Sequence, residues 1–156
     1  MKLTHALLVA AAAGMAPGCA SETPEPTTSA EVRLIRASGG FVELQVRDLP
    51  VAARALQAEL LVDGDDAFTV EAFQAASGLR LDSVQARMRG TNRALLFVGD
   101  TRGVPLPTEG AVARFSLEPV TPGAGSGGRL RLGAVLVVGP DGAAIAVNPG
   151  PSIAAR

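Results

Sequence analysis

The chain has 156 residues, of which 47% are hydrophobic and only 3% aromatic, with no Trp or Tyr, and its formal charge is −1. That length holds one ordinary domain with extensions, whose core must come from Val, Leu, Ala and five phenylalanines: Phe41, Phe68, Phe73, Phe97 and Phe115. Basic charge is one Lys and Arg spread along the chain, and a net charge of −1 gives no reason to expect nucleic acid, which is bound by clustered basic charge that displaces counterions.

Residues 1–18 have the three-part build of a secretory signal: a charged start (Lys2, His5), an apolar stretch from Ala6 to Ala13, and small residues before Cys19. The stretch is too short for a membrane span. The lone cysteine after Ala16-Pro17-Gly18 resembles the lipobox of bacterial lipoproteins, in which that cysteine is acylated and becomes the first residue. Ala16 stands where families usually carry Leu; an ordinary signal peptide with an incidental cysteine is the alternative. By the same resemblance, Ala20 rather than Asp after Cys19 implies an exported protein held at the outer membrane or cell surface. Residues 19–30 then read as the lipidated cysteine and a tether rich in Pro and small polar residues. Processing leaves 13 Arg against 15 carboxylates, a formal −2, with no His and no Lys.

Residues 31–150 read as one all-β domain. Val32 to Arg36 and Phe41 to Val46 alternate apolar with polar, separated by Ser38-Gly39-Gly40 and ended by Asp48-Leu49-Pro50. Ala55 to Val62 offers a strand face (Leu56, Ala58, Leu60, Val62) and also a helical stripe (Leu56, Leu60, Leu61); its neighbours favour the strand. Ala67 to Phe73, Val84 to Arg89, Ala94 to Val98 and Val112 to Glu118 continue the series, with turn residues every 8–12 positions. The C-terminal part opens with Leu130 and Leu132 between Arg129, Arg131 and Gly133, then becomes the continuous apolar run Ala134 to Val138. Gly139-Pro140-Asp141-Gly142 supplies turn chemistry, and Ala143 to Val147 returns as the second arm of a closing hairpin. About nine strands predict a single antiparallel, jelly-roll-like β-sandwich, with residues 151–156 as a tail.

The order of these pieces resembles a cohesin-type domain, a sandwich family related to carbohydrate-binding modules. The early strand ending in Asp48-Leu49-Pro50, the strand running into Leu61-Val62-Asp63-Gly64, and Phe68-Thr69-Val70-Glu71 resemble the family's opening, although its Tyr-Asp-Pro has no counterpart here. Ala94 to Asp100, Gly110 to Leu117 and Val135 to Val147 resemble its middle strands and closing hairpin. The resemblance covers about Glu31 to Val147 and implies a non-enzymatic module that binds another protein, without a cofactor. Polysaccharide binding, known among fold relatives, is the alternative, and the absence of Trp and Tyr as stacking platforms argues against it.

The residues themselves agree with a non-catalytic reading. Without His and with Cys19 acylated, Ser/His/Asp or Cys/His nucleophilic catalysis has no parts, and zinc loses its usual ligands. Asp63, Asp65 and Asp66 are the closest acidic cluster; hard oxygen ligands suit calcium, but the spaced EF-hand pattern is missing and a solvated turn is the plainer reading. Arg87, Arg89 and Arg93 form the one local basic cluster. Arg87 and Arg89 share a strand face, a surface for an acidic protein partner or simply a solvated face. Gly123 to Gly128 has no Lys and no following helical pattern, so it is no phosphate-cradling loop.

Overall fold

The computed structural model describes residues 29–64, 67–120 and 128–155. Eight long strands occupy the expected segments: β1 (Glu31–Arg36), β2 (Val42–Arg47), β3 (Ala55–Asp63), β4 (Phe68–Ala75), β5 (Ser83–Gly90), β6 (Arg93–Gly99), β7 (Gly110–Pro119) and β8 (Arg129–Val138). Three two-residue strands follow: β9 (Ala144–Ile145), β10 (Asn148–Pro149) and β11 (Ile153–Ala154). One sheet runs β10-β1-β2-β7-β4 and the other β11-β8-β3-β6-β5, with β9 attached to β8. Every pairing is antiparallel except that of β1 with β10. The two sheets pack face to face as a sandwich, and among the described residues no helix is long and apolar enough to cross a membrane.

The alternation in the sequence is what builds the core, because successive side chains on a strand point to opposite faces. Val32 and Leu34 on β1 and Val42, Leu44 and Val46 on β2 are buried from one sheet. Leu56, Ala58 and Leu60 on β3, Ala94, Leu96 and Val98 on β6, and Leu130, Leu132 and Val137 on β8 meet them from the other. The alternate helical stripe of β3 is thereby excluded. Burying a Val or Leu side chain contributes about 1.5–3 kcal/mol.

Two bulges adjust the first sheet. Between β2 and β7 the register shifts at Leu44/Gln45, and Val112 becomes an extra, fully buried residue beside Ala113. Between β4 and β7, Ala72 and Phe73 together oppose Phe115. Ala72 takes a left-handed φ of 48° there, and Phe73 packs on Phe115 with ring centroids 5.8 Å apart and planes tilted by 49°, a favoured aromatic arrangement.

The closing hairpin is shorter than expected. Only Ala144 and Ile145 pair back onto Val138 and Val137; the chain then crosses to the other sheet, where Asn148 and Pro149 lie parallel to Glu31 and Val32. Prolines suit the crossed segment to its edge position. Asn148 and Gly150 donate to the carbonyls of Ala30 and Val32, each at 2.8 Å, and the residues that lack a donor, Pro149 and Pro151, alternate with them. Such a segment serves one edge and cannot join the interior of a ladder. Part of the expected tail is sheet as well: Ile153 and Ala154 pair with Leu130 and Arg129, and the Ala155 amide donates to Gly128 at 2.8 Å.

Candidate functional site

The outer face of the second sheet brings the predicted arginines together with residues the sequence did not single out. Cross-strand register sets its rows. Leu136, Gln57, Phe97 and Gln85 lie side by side across β8, β3, β6 and β5. The next row holds Glu59, Leu95 and Arg87, and the one after it Arg131, Leu61 and Arg93. The centre is apolar: Leu61, Leu95 and Phe97 are half-buried and Leu136 is 43% exposed. Phe97 lies along its own strand over Gly99, where an added Cβ would come within 3.3 Å of the ring.

Charge rims this centre. Arg93 donates through Nε to Glu59 Oε1, whose side chain is only 18% exposed and lies over the backbone of Gly133; a Cβ there would sit 2.6 Å from Glu59 Oε2. Arg131 Nε reaches both carboxylate oxygens of Asp63 at 3.2 Å, and Arg129 Nε donates to Ser152 Oγ at 2.9 Å. Surface pairs of this kind contribute at most about 1 kcal/mol each. Arg87 and Arg89 are exposed with no partner among the described residues. Arg89 and Gly90 together oppose Arg93, because the register of β5 shifts between Met88 and Gly90. Five arginines thus share the face with two described carboxylates, Glu59 and Asp63, both already engaged.

The remaining predicted residues fall elsewhere. Asp63 is held by Arg131, whereas Asp65 and Asp66 lie outside the described residues, as do Cys19, the signal and most of the tether. Among the described residues no group of three or more His, Cys, Asp or Glu side chains is gathered to hold a metal.

The outer face of the first sheet spends some of its polar groups on each other, although the buried Nε atoms of Arg33 and Arg114 have no hydrogen-bond partner among the described residues. Arg33 donates to Gln45, Gln45 to Glu43, and the Arg114 guanidinium covers the Phe41 ring at 4.0 Å. An open cleft of about 360 Å³ at one end of the sandwich is lined by Arg36, Gly40, Val42, Leu117 and Ala155. Its one charged group among the described residues, Arg36, donates to the Ala154 carbonyl at 2.9 and 3.1 Å, and none of the described lining residues is a nucleophile or base.

One further polar cluster closes the end of the β5–β6 hairpin. Asp82 accepts from the Thr101 amide at 2.7 Å and its hydroxyl at 2.5 Å. Asp100 accepts from the Arg102 amide and guanidinium at 2.9 and 2.5 Å. The Arg102 hydrogen bonds hold the Asp100 carboxyl down at about 2, and the Thr101 hydroxyl lowers Asp82. A general acid needs the opposite displacement, so this cluster serves as a clamp between two loops.

No protein-family model and no curated protein matches the chain. Solved structures do. CaCohA2 of Clostridium acetobutylicum, in a complex, is 14% identical with a TM-score of 0.63, covering 82% of this chain and 100% of its own. The sixth cohesin of scaffoldin B from Acetivibrio cellulolyticus, solved with a Cel5 dockerin, is 11% identical (TM-score 0.58, 83% and 100% covered). A non-cellulosomal cohesin from the archaeon Archaeoglobus fulgidus is 13% identical (TM-score 0.56, 77% and 85% covered). At such identities the likeness is one of fold, and the fold is of the cohesin type.

Proposed function

We propose that the chain is a non-enzymatic protein-interaction module, anchored by an acylated Cys19 to the bacterial cell envelope at the outer membrane or cell surface, and that its partner docks on the outer face of the second sheet. The observation that carries this reading is the pairing of an apolar centre (Leu61, Leu95, Phe97, Leu136) with a rim of arginines of which Arg87 and Arg89 have no partner among the described residues. An apolar core within a polar rim is the anatomy of protein interfaces, where Arg and aromatic residues are enriched. The excess of positive charge selects an acidic partner surface. Capture of the mature protein's partners from envelope extract tests the proposal. A recurrent protein partner that is lost when Arg87 and Arg89 are both changed to Glu supports it. Retention on isolated cell-wall or capsular polysaccharide, with no protein partner, would overturn it in favour of a glycan-binding module.

A further inference from the structure

The chain leaves the sandwich at a defined end, and that end carries exposed apolar side chains. Glu31, at the start of β1, is in register with Arg47, the last residue of β2, so the N-terminus emerges beside the loop that follows β2. The Leu49 amide donates to Thr108 and the Leu106 amide to Ala53, which straps this loop to the one before β7. The Arg54 amide donates to Val138, bringing the β8–β9 turn to the same end. Four large hydrophobic side chains are exposed among the described residues: Val51 (74%), Val104 (41%), Val120 (58%) and Leu136 (43%). Val51 and Val104 stand on the strapped loops at the N-terminal end, together with exposed Pro50 and Pro105. Several of the charges around them are neutralised locally: Arg47 pairs with Asp48, and Arg102 with Asp100 and Asp82.

We infer that these two loops dock on the bilayer that holds Cys19, with Val51 and Val104 entering the boundary between headgroups and acyl chains. The inference rests on the acylation of Cys19 proposed above. Ten residues separate Cys19 from Ala30, a covalent reach of at most about 40 Å, and they join the domain at the very end that bears the valines. A short connection raises the effective concentration of the loops at the membrane to the millimolar range, so weak apolar insertion of a few side chains is enough. The partner face of the second sheet then stands beside the membrane rather than against it. Val120 follows β7 at the opposite end, about 33 Å away along a ten-residue strand.

The test uses the acylated protein in phosphatidylcholine vesicles that contain a lipid-borne quencher. Because acylation consumes the only natural thiol, Val51→Cys, Val104→Cys and Val120→Cys each give a single site for a fluorescent label, and all three positions are exposed. The expected result is quenching at 51 and 104 and none at 120. Equal quenching at the three positions, or stronger quenching at 120, in a protein that floats with the vesicles would overturn the docking alone. A chain that does not float, and whose N-terminal peptide carries an unmodified Cys19, removes the anchor and the docking with it.

Discussion

Replacing Ala72 by Gly should stabilise this protein, against the usual rule for strands. Ala72 sits in the β4 bulge at φ 48°, with its side chain exposed. A residue with a Cβ is disfavoured in the left-handed region by about 1–2 kcal/mol. Glycine removes that cost but frees the unfolded chain by about 0.5–1 kcal/mol, and no packing is lost because the methyl faces solvent. The balance is a gain of about 0.5 kcal/mol. Ala75, in the same strand and outside the left-handed region, is the control: Ala75→Gly should destabilise by about 1 kcal/mol. Urea unfolding with equal slopes reads both differences as shifts of midpoint. If Ala72→Gly destabilises as much as Ala75→Gly, the bulge is not where two residues oppose Phe115, and the inward placement of Phe73 loses its explanation.

Phe115 is fully buried against Phe73, so Phe115→Ala should cost about 3–5 kcal/mol in denaturant unfolding, a large share of the 5–15 kcal/mol typical of a domain. Asp100, held at about 2 against an ordinary 3.8, adds stability that is fully present above about pH 4 and is lost as pH falls towards 2, because the unfolded chain takes up the proton first. Stability measured from pH 5 to 2 should therefore fall less steeply in Asp100→Asn. Gly133→Val places atoms where Glu59 Oε2 and Leu61 Cδ1 now lie, 2.6 and 3.0 Å from the new Cβ. It should displace Glu59 from Arg93, and a double-mutant cycle with Arg93→Met should show the two changes to be coupled by up to about 1 kcal/mol.

The strands were legible because their evidence is local. FVELQV and ALQAELLV carry the period of two, and the buried residues of β2 and β3 are the ones that period selects. The candidate face was legible only in fragments. Arg87 and Arg89 show their shared side in sequence, but Glu59, Leu95 and Arg131 become their neighbours only through the order β8-β3-β6-β5, which no single strand encodes. The alternation of Glu59, Leu61 and Asp63 was a usable signal that one side of β3 differs from the other. The hairpin arm failed for a different reason. Ala143 to Val147 is apolar enough for a strand, but after Ile145 the chain crosses to the other sheet, where Asn148 and Gly150 bond to β1, a long-range pairing that the arm's own composition does not encode.

The two outer faces can be told apart by asking where each arginine is already committed. On the first sheet Arg33 is engaged with Gln45 and Arg114 with Phe41, so recruiting either to a partner breaks an existing contact. On the second, Arg87 and Arg89 have no contact among the described residues to break, and Arg93 and Arg131 bring carboxylates that fix their direction. For a partner docked on this face as proposed, charge and apolar area act on different steps of association. Exposed rim charges steer encounter and set its salt dependence, whereas the desolvated centre governs dissociation. Changing Arg87 and Arg89 to Glu should slow association roughly tenfold at low salt, with the difference fading as salt is raised. Phe97→Ala should leave the association rate within about a factor of two and speed dissociation by tenfold or more, the size expected of a central aromatic. Surface plasmon resonance with the captured partner separates the two rates. If Phe97→Ala leaves dissociation unchanged while the arginine pair still matters, the partner touches only the β5 edge, and the apolar rows across β3 and β6 are not part of the interface.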